Sequence, residues 1–374
     1  MNWADYLIPA NINASKPGSF GDLVVMYKGE PSSEIPASVK VALIGVPEDR
    51  FSEGAGEIKT PGIIRKYLYS LSANQPGTVV DLGNLRTGKS LSDTYYCISD
   101  LATELYRRGI VTLLIGGTID VFYGNCIAMD GQEFTITNVT PQLRLPVYGT
   151  HKQPLNSLIF EKTAIPLHFC NIGYQSYFVS RLELDYLSDR RFDVYRLGEV
   201  RDNIGAIEPV IRDTDLLAIS MDAVRFSDAP AASTPSPNGF SGEEICQLAF
   251  FAGLSYRCRS LGIFDMLPQN DLRDITAKLV AQIAWYFIEG INKRNSDNPY
   301  EHGQNFKKYQ IYFDELHHDL CFLKNIQTEL WWMEVPSVAK KNKDLIISCT
   351  PEDYARATEQ EIPERWWKTY QRIN

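Results

Sequence analysis

No apolar run in this chain approaches the ~20 residues that cross a bilayer, so a membrane span is not expected. Excess positive charge is also missing. The formal net charge is −9, whereas sequence-independent binding to nucleic acid or to anionic lipid needs dense Lys/Arg surfaces. No C-x-x-C pair occurs; the seven cysteines, at positions 97, 126, 170, 246, 258, 321 and 349, are scattered and odd in number. That usage points to reduced, buried thiols in a cytoplasmic protein, neither a disulfide frame nor a zinc site. The opening MNWADYLIPANINASKPGS lacks a basic start followed by an apolar core, so no secretory signal is expected. Low-complexity tracts and fixed-period repeats are absent as well. What remains is 374 residues of ordinary globular composition, 44% hydrophobic and 22% charged, enough for a full-sized core.

Short β-branched runs alternate with helix-length segments. The runs are VALIGV (41–46), TVVDLG (78–83), IVTLLIGG (110–117), FTITNV (134–139), HFCNIG (168–173), DVYRLG (193–198), DLLAISMD (215–222) and SLGIFD (260–265). Nearly all apolar, they read as central strands of a parallel sheet covered on both faces. From Leu91, apolar residues recur at Tyr95, Ile98, Ala102 and Leu105, with Gly109 as a stop. Ser241 and Glu244 have capping-box spacing ahead of ICQLAFFAGL. A further helix is expected from about Leu272, with Gly290 after its end. An N-terminal extension (1–37) therefore precedes an α/β domain (38–292).

Beyond Asn292 the polar stretch NKRNSDNPYEHGQN reads as a boundary loop. KYQIYF, HDLCFLK and ELWWMEV predict three short antiparallel strands. Thr350-Pro351-Glu352-Asp353 opens a helix, and PERWWKTYQRI makes another. Residues 293–374 are thus expected to form a small α+β appendage, with Trp331-Trp332 and Trp366-Trp367 packing it onto the main domain.

Four separated segments resemble the ureohydrolase superfamily of arginase, agmatinase and formimidoylglutamase, with formimidoylglutamase the nearest branch. GVPEDR…GAGEIKTPGIIRKYL (45–68) is similar to that family's opening strand, loop and helix start. LLIGGTID (113–120) stands where the family writes Gly-Gly-Asp-His-Ser. TNVTPQLRL (137–145) stands at the Asp-x-His-x-Asp strand end, and AISMDAVRFSDAPAASTPSPNGFSGEE (218–244) at Ser-x-Asp-x-Asp and its loop. IFDMLP (263–268) is similar to the closing Glu-Val-Asn-Pro turn. The resemblance implies a three-layer α/β/α fold with a mainly parallel sheet. It also implies a C–N hydrolase in which water bridges two Mn²⁺ ions, a charge that needs several carboxylates and histidines around it.

Carried over position by position, that ligand set is nearly gone. The Gly-Gly-turn histidine is Ile119; the Asp, His and Asp of the third segment are Thr140, Gln142 and Arg144. Of the last pair Asp222 remains and Val224 replaces its mate, while the substrate-facing Glu is Asp265. Five of six ligand positions are therefore replaced, one by a cation, and no Mn²⁺ or other cofactor is expected. The residual pocket would hold Asp120, Gln142, Arg144, Asp222 and Asp265. Arg144 is expected to turn inward and pair with Asp222, since a lone buried carboxylate is costly. The alternative places Arg144 in solvent and makes Asp222 a structural cap. Asp265 has a similar alternative, as a cap in the LPQND turn. His151 lies near the loop that assists proton transfer in the family. His317-His318 are expected to be solvent-exposed, because neighbours on a strand face opposite ways.

These readings favour a degenerate ureohydrolase-fold protein, a non-catalytic binding or scaffold protein with a protein partner. A small anionic ligand held by Arg144 and Asp222 and a homo-oligomer stay open. The competing reading is a C–N hydrolase of formimidoylglutamate, or of another guanidino or formimino compound, working through an atypical site.

Overall fold

The computed structural model describes residues 3–10, 16–29, 35–48, 50, 59–72, 78–146, 155–162, 168–295, 297–313, 318–337 and 344–374. The N-terminal stretch supplies strands β1 (Leu7–Ile8) and β2 (Val25–Met26) and the short helix α1 (Phe20–Leu23). The eight strands expected from the apolar runs follow: β3 (Val41–Gly45), β4 (Val79–Leu85), β5 (Val111–Ile115) and β6 (Thr135–Val139). Then come β7 (His168–Tyr174), β8 (Asp193–Arg196), β9 (Leu216–Ser220) and β10 (Ser260–Phe264). All ten form one sheet, ordered β1-β4-β3-β5-β10-β9-β6-β7-β8, with β2 also against β4. Every pairing is parallel except β1 with β4.

Helices cover both faces. On one side pack α2 (Thr60–Leu68), α7 (Leu197–Asp202), α8 (Glu208–Arg212), α9 (Gly242–Leu254) and α10 (Ile275–Asn292). On the other lie α3 (Leu91–Arg107), α4 (Tyr123–Ala128), α5 (Leu155–Lys162) and α6 (Arg181–Ser188). The period-2 strand pattern divides the apolar residues between these layers: Leu113 and Ile115 of β5 enter one core and Leu114 the other. Each fully buried Leu or Ile contributes roughly 1.5–3 kcal/mol of transfer free energy.

Local sequence explains most helix starts. Ser90 with Asp93, and Ser241 with Glu244, form complete capping boxes at the heads of α3 and α9. Two expectations at α10 are corrected. Its α-helical run begins at Ile275, because Arg273 (φ 58°) and Asp274 (φ 55°) take left-handed backbone and break the run from Leu272. Gly290 is no terminator; it lies inside α10, where an added Cβ would come within 2.8 Å of the Gly253 Cα of α9. Two facing glycines let the helices touch backbone to backbone.

The C-terminal part has four strands where three were expected: β11 (Phe306–Phe313), β12 (His318–Asn325), β13 (Trp331–Val335) and β14 (Leu345–Cys349). They form an antiparallel sheet in that order, followed by α11 (Pro351–Thr358) and α12 (Glu364–Ile373). The Trp pairs divide their work. Trp331 and Trp366 fill the appendage's own core, whereas Trp332 carries the Arg212 guanidinium 4.2 Å from its ring and Trp367 is partly exposed. Arg212 also donates to the carbonyls of Trp331 (3.2 Å) and Cys349 (3.3 Å). Asp213 accepts from Ser348 N (2.9 Å), Ser348 Oγ (2.7 Å) and Arg365 Nη2 (2.8 Å). Lys368 reaches Asp193, and Arg372 reaches His168. His168, Asp193 and Asp213 stand at or just before the amino ends of β7, β8 and β9. The appendage therefore docks at the end of the sheet opposite the strand carboxyl ends.

Candidate functional site

In an open parallel sheet, ligands sit outside the carboxyl ends of the strands. Here the ends of β5, β6, β9 and β10 converge on one small cavity lined by Ile119, Asn138, Thr140, Gln142, Arg144, Ser220, Asp222 and Asp265, among others. Its volume of about 30 Å³ has room for roughly one water, against ~300–1,000 Å³ for ordinary small-molecule sites. Wider clefts of about 660 Å³ and 740 Å³ lie at the appendage seam and along α9–α10, and share no lining residue with this cavity.

The Gly-Gly turn after β5 still shapes the cavity wall. Gly116 (φ 87°) and Gly117 (φ 78°) take left-handed backbone, and a Cβ on either would meet the Val46 carbonyl at 3.2 Å. The turn is tied to Asp265 in both directions: Asp265 N donates to Gly117 O (2.9 Å), and Ile119 N donates to Asp265 Oδ1 (3.0 Å). Asp265 itself has φ 65° and accepts from the Ser220 hydroxyl. Burial, and then the neighbouring Asp222 charge, push its carboxyl up to about 7, against the opposing Ser220 hydrogen bond and the Arg144 charge.

Asp222 is buried yet well served, without Arg144. It accepts from Ser233 Oγ (3.0 Å), Thr234 N (2.7 Å) and the Thr234 hydroxyl, which clasps the loop after β9 onto the strand end. Arg144 does turn into the cavity, but its Nε donates to Gln142 Oε1 (2.9 Å). No ion pair joins Arg144 to a carboxylate among the described residues, so the expected Arg144–Asp222 pair is corrected. Loop hydroxyls and an amide already satisfy Asp222, while the left-handed backbone of Arg144 (φ 47°) sets its side chain beside Gln142.

Asp120 is also corrected: it does not line the cavity. In the 3₁₀ turn Ile119–Phe122 the first side chain faces the cavity and the next turns away. Asp120 instead accepts from Tyr95 Oη (2.9 Å) and from the Thr118 hydroxyl on the α3 side. Burial lifts its carboxyl to about 6, in spite of those hydrogen bonds. Val224 is wholly buried in the core. His151 and His317 fall outside the described residues, and His318 is exposed at the start of β12.

Residues not singled out from the sequence complete the wall. Asn156 donates to Leu143 O, so its Oδ1 faces Asn138 Nδ2 (2.6 Å), and the buried Asn138 Oδ1 has no partner among the described residues. The signal for Asn138 was its position on β6 two residues before Thr140, which follows the strand end. Nothing local marked Asn156, which arrives from α5. The donor set does not fit a pair of Mn²⁺ ions. Among the described residues, Asp222 and Asp265 are the cavity's carboxylates, no histidine lines it, and no group of three or more His, Cys, Asp or Glu is able to grip a metal.

A sheet of this order, with Gly-Gly, Ser-x-Asp and Pro-rich loop elements at its carboxyl ends, defines a ureohydrolase-type α/β/α protein. The arginase-family model matches residues 39–289, and the chain belongs to the arginase family. Among its relatives, the formimidoylglutamase of Staphylococcus carnosus is 25% identical over 254 residues, covering 62% of this chain and 79% of that protein. The Staphylococcus aureus formimidoylglutamase is 24% identical over 291 residues, covering 72% and 91%. Among solved structures, Trypanosoma cruzi formiminoglutamase with Mn²⁺ superposes with TM-score 0.63 at 21% identity, covering 71% of this chain and 97% of that one. Bacillus subtilis formimidoylglutamase gives TM-score 0.64 at 20% identity, covering 78% and 97%. The fold is therefore theirs. The family match stops at residue 289, short of the antiparallel sheet, α11 and α12.

Proposed function

We propose that this chain is a non-catalytic, formimidoylglutamase-like member of the arginase family that has lost the dinuclear Mn²⁺ site and works by binding. The observation that carries the reading is the cavity wall: it presents Ile119, Thr140, Gln142 and Arg144, the residues that the sequence resemblance sets at the family's ligand positions, with the Arg144 cation close enough to act on the Asp265 charge. A cation in the wall repels dications, and an aliphatic side chain offers no lone pair. A second observation supports a partner surface. Tyr177, Phe178 and Phe226 follow the carboxyl ends of β7 and β9, all more than 40% exposed, and an Asn238–Tyr177 hydrogen bond ties their loops together. Exposed aromatics are the side chains on which protein interfaces concentrate binding energy. The test is metal content by mass spectrometry after equilibration with Mn²⁺, Co²⁺ and Zn²⁺ and desalting. Fewer than about 0.1 ion per chain is expected, and close to two per chain overturns the reading.

One observation favours the competing reading of a hydrolase with an atypical site. A carboxyl titrating at about 7, as Asp265 does, suits proton transfer at neutral pH. Turnover of formimidoylglutamate by metal-stripped protein, abolished by Asp265→Asn, would establish that alternative.

A further inference from the structure

The antiparallel sheet of the appendage has two edges, and the chain treats them differently. On β14 the outward N–H groups of Ile346 and Ser348 are both taken, by Tyr300 Oη (2.7 Å) and by the Asp213 carboxylate (2.9 Å). On β11, eight residues long, the outward partner is Gln360 Nε2, which donates to Tyr312 O (3.0 Å). The N–H and C=O of one residue in an antiparallel strand point the same way. An outward Tyr312 therefore places the backbones of Lys308 and Gln310 outward too, while Tyr309 and Ile311 bond to β12. The outward N–H and C=O of Lys308 and Gln310 have no partner among the described residues. Bare edges are commonly guarded by lysine charge; here the Lys308 ammonium is neutralised by Glu334 at 2.7 Å, which leaves Lys307 as the exposed cation of β11 among the described residues.

We propose that this edge pairs antiparallel with the same edge of a second copy of the chain, about a two-fold axis at Tyr309, making one continuous sheet of two appendages. The edge is self-complementary in that register. Lys308 faces Gln310 twice, each pair exchanging two backbone hydrogen bonds, Phe306 faces Tyr312, and Lys307 faces Ile311. No like charges meet. A register one residue away would set outward groups against inward ones and form no ladder. The pairing lies on the appendage, and it stands whatever the state of the cavity at the strand carboxyl ends.

Sedimentation equilibrium of the full chain tests it, with three substitutions at Gln310. Gln310→Pro removes an outward N–H while leaving the β12 ladder intact, so a dimeric wild type should become monomeric. Gln310→Lys places an ammonium opposite Lys308 in both pairs and should raise the dissociation constant by about tenfold or more. Gln310→Asp should dimerise at least as tightly as wild type. Circular dichroism and melting temperature verify that each variant is folded, and if the proline variant is not, the Lys/Asp contrast decides. A monomeric wild type, or an oligomer indifferent to Gln310→Pro and to the sign of charge at 310, overturns the proposal.

Discussion

Asp265 shows most clearly what burial beside a second carboxylate does to an acid. Its carboxyl is raised to about 7 by burial and by Asp222, whereas an unfolded-chain Asp titrates near ~3.9. Between those values the native state binds the proton that the unfolded chain releases. Stability contributed by protonated Asp265 is therefore present at acid pH and lost as pH rises through about 4 to about 7. Denaturant unfolding should show this as a slope of up to ~1.4 kcal/mol per pH unit for Asp265, which Asp265→Asn removes most clearly between about pH 6 and about pH 7, above the range of Asp120. An equal slope in the variant would mean that another group titrates there. The motif positions were legible without coordinates, because Thr140, Gln142, Arg144, Asp222 and Asp265 sit at strand ends that the apolar runs locate. Side-chain direction was not. Asp120 and Ile119 are adjacent, and only the 3₁₀ turn decides which of them faces the cavity.

Helices show the same division. Ser241 and Glu244 announced α9 from three-residue spacing alone, but Gly290 was misread as a stop because a glycine near a helix end has two meanings. Its partner Gly253 lies 37 positions away in the chain, and an added Cβ there would meet Phe287 O at 2.2 Å. Ala is the better helix former by about 1 kcal/mol, but overpacking costs about 1–3 kcal/mol, and a backbone neighbour cannot swing aside. Gly253→Ala should therefore lower stability by about 1–2 kcal/mol in urea unfolding despite its higher propensity. The last helix, α12, is held partly by an imidazole. Arg372 Nη1, which can only donate, lies 2.9 Å from His168 Nδ1, so the His168 proton sits on Nε2, 3.1 Å from Asp193. Burial, then the Arg372 charge, hold the imidazolium below its usual range, with Arg365 adding to this and Asp193 opposing it. The unfolded chain thus binds this proton first, and stability falls as pH drops below about 6.5. Hydrogen exchange in residues 364–373 should quicken there, and His168→Gln, which can keep both hydrogen bonds, should remove that pH dependence.

Among the described residues, the two cores of the main sheet and the separate core of the appendage meet at a charged seam. The seam runs through Arg212, Asp213, Asp193 and His168 at the amino ends of the strands, so the appendage leaves the carboxyl-end cavity uncovered. Asp213→Ala would strip Ser348 of its acceptor and leave Arg365, largely buried, without its carboxylate. A loss of about 2–4 kcal/mol is expected by denaturant titration, with the same loss registered by Trp fluorescence and by far-UV dichroism if the two parts unfold together.

The chain by itself determined eight of the main sheet's ten strands, the parallel sense of those eight, several helix caps and which residues stand at the strand ends that line the cavity. These are written in local periodicity and in residue types at fixed positions. Tertiary structure alone decided the rest: that Arg144 meets Gln142 and leaves Asp222 to the loop hydroxyls, that Asn156 of α5 enters the cavity wall, and that the appendage covers the amino ends of the strands. Each of those contacts depends on where distant side chains point once elements pack, and periodicity along a chain carries no record of direction between elements.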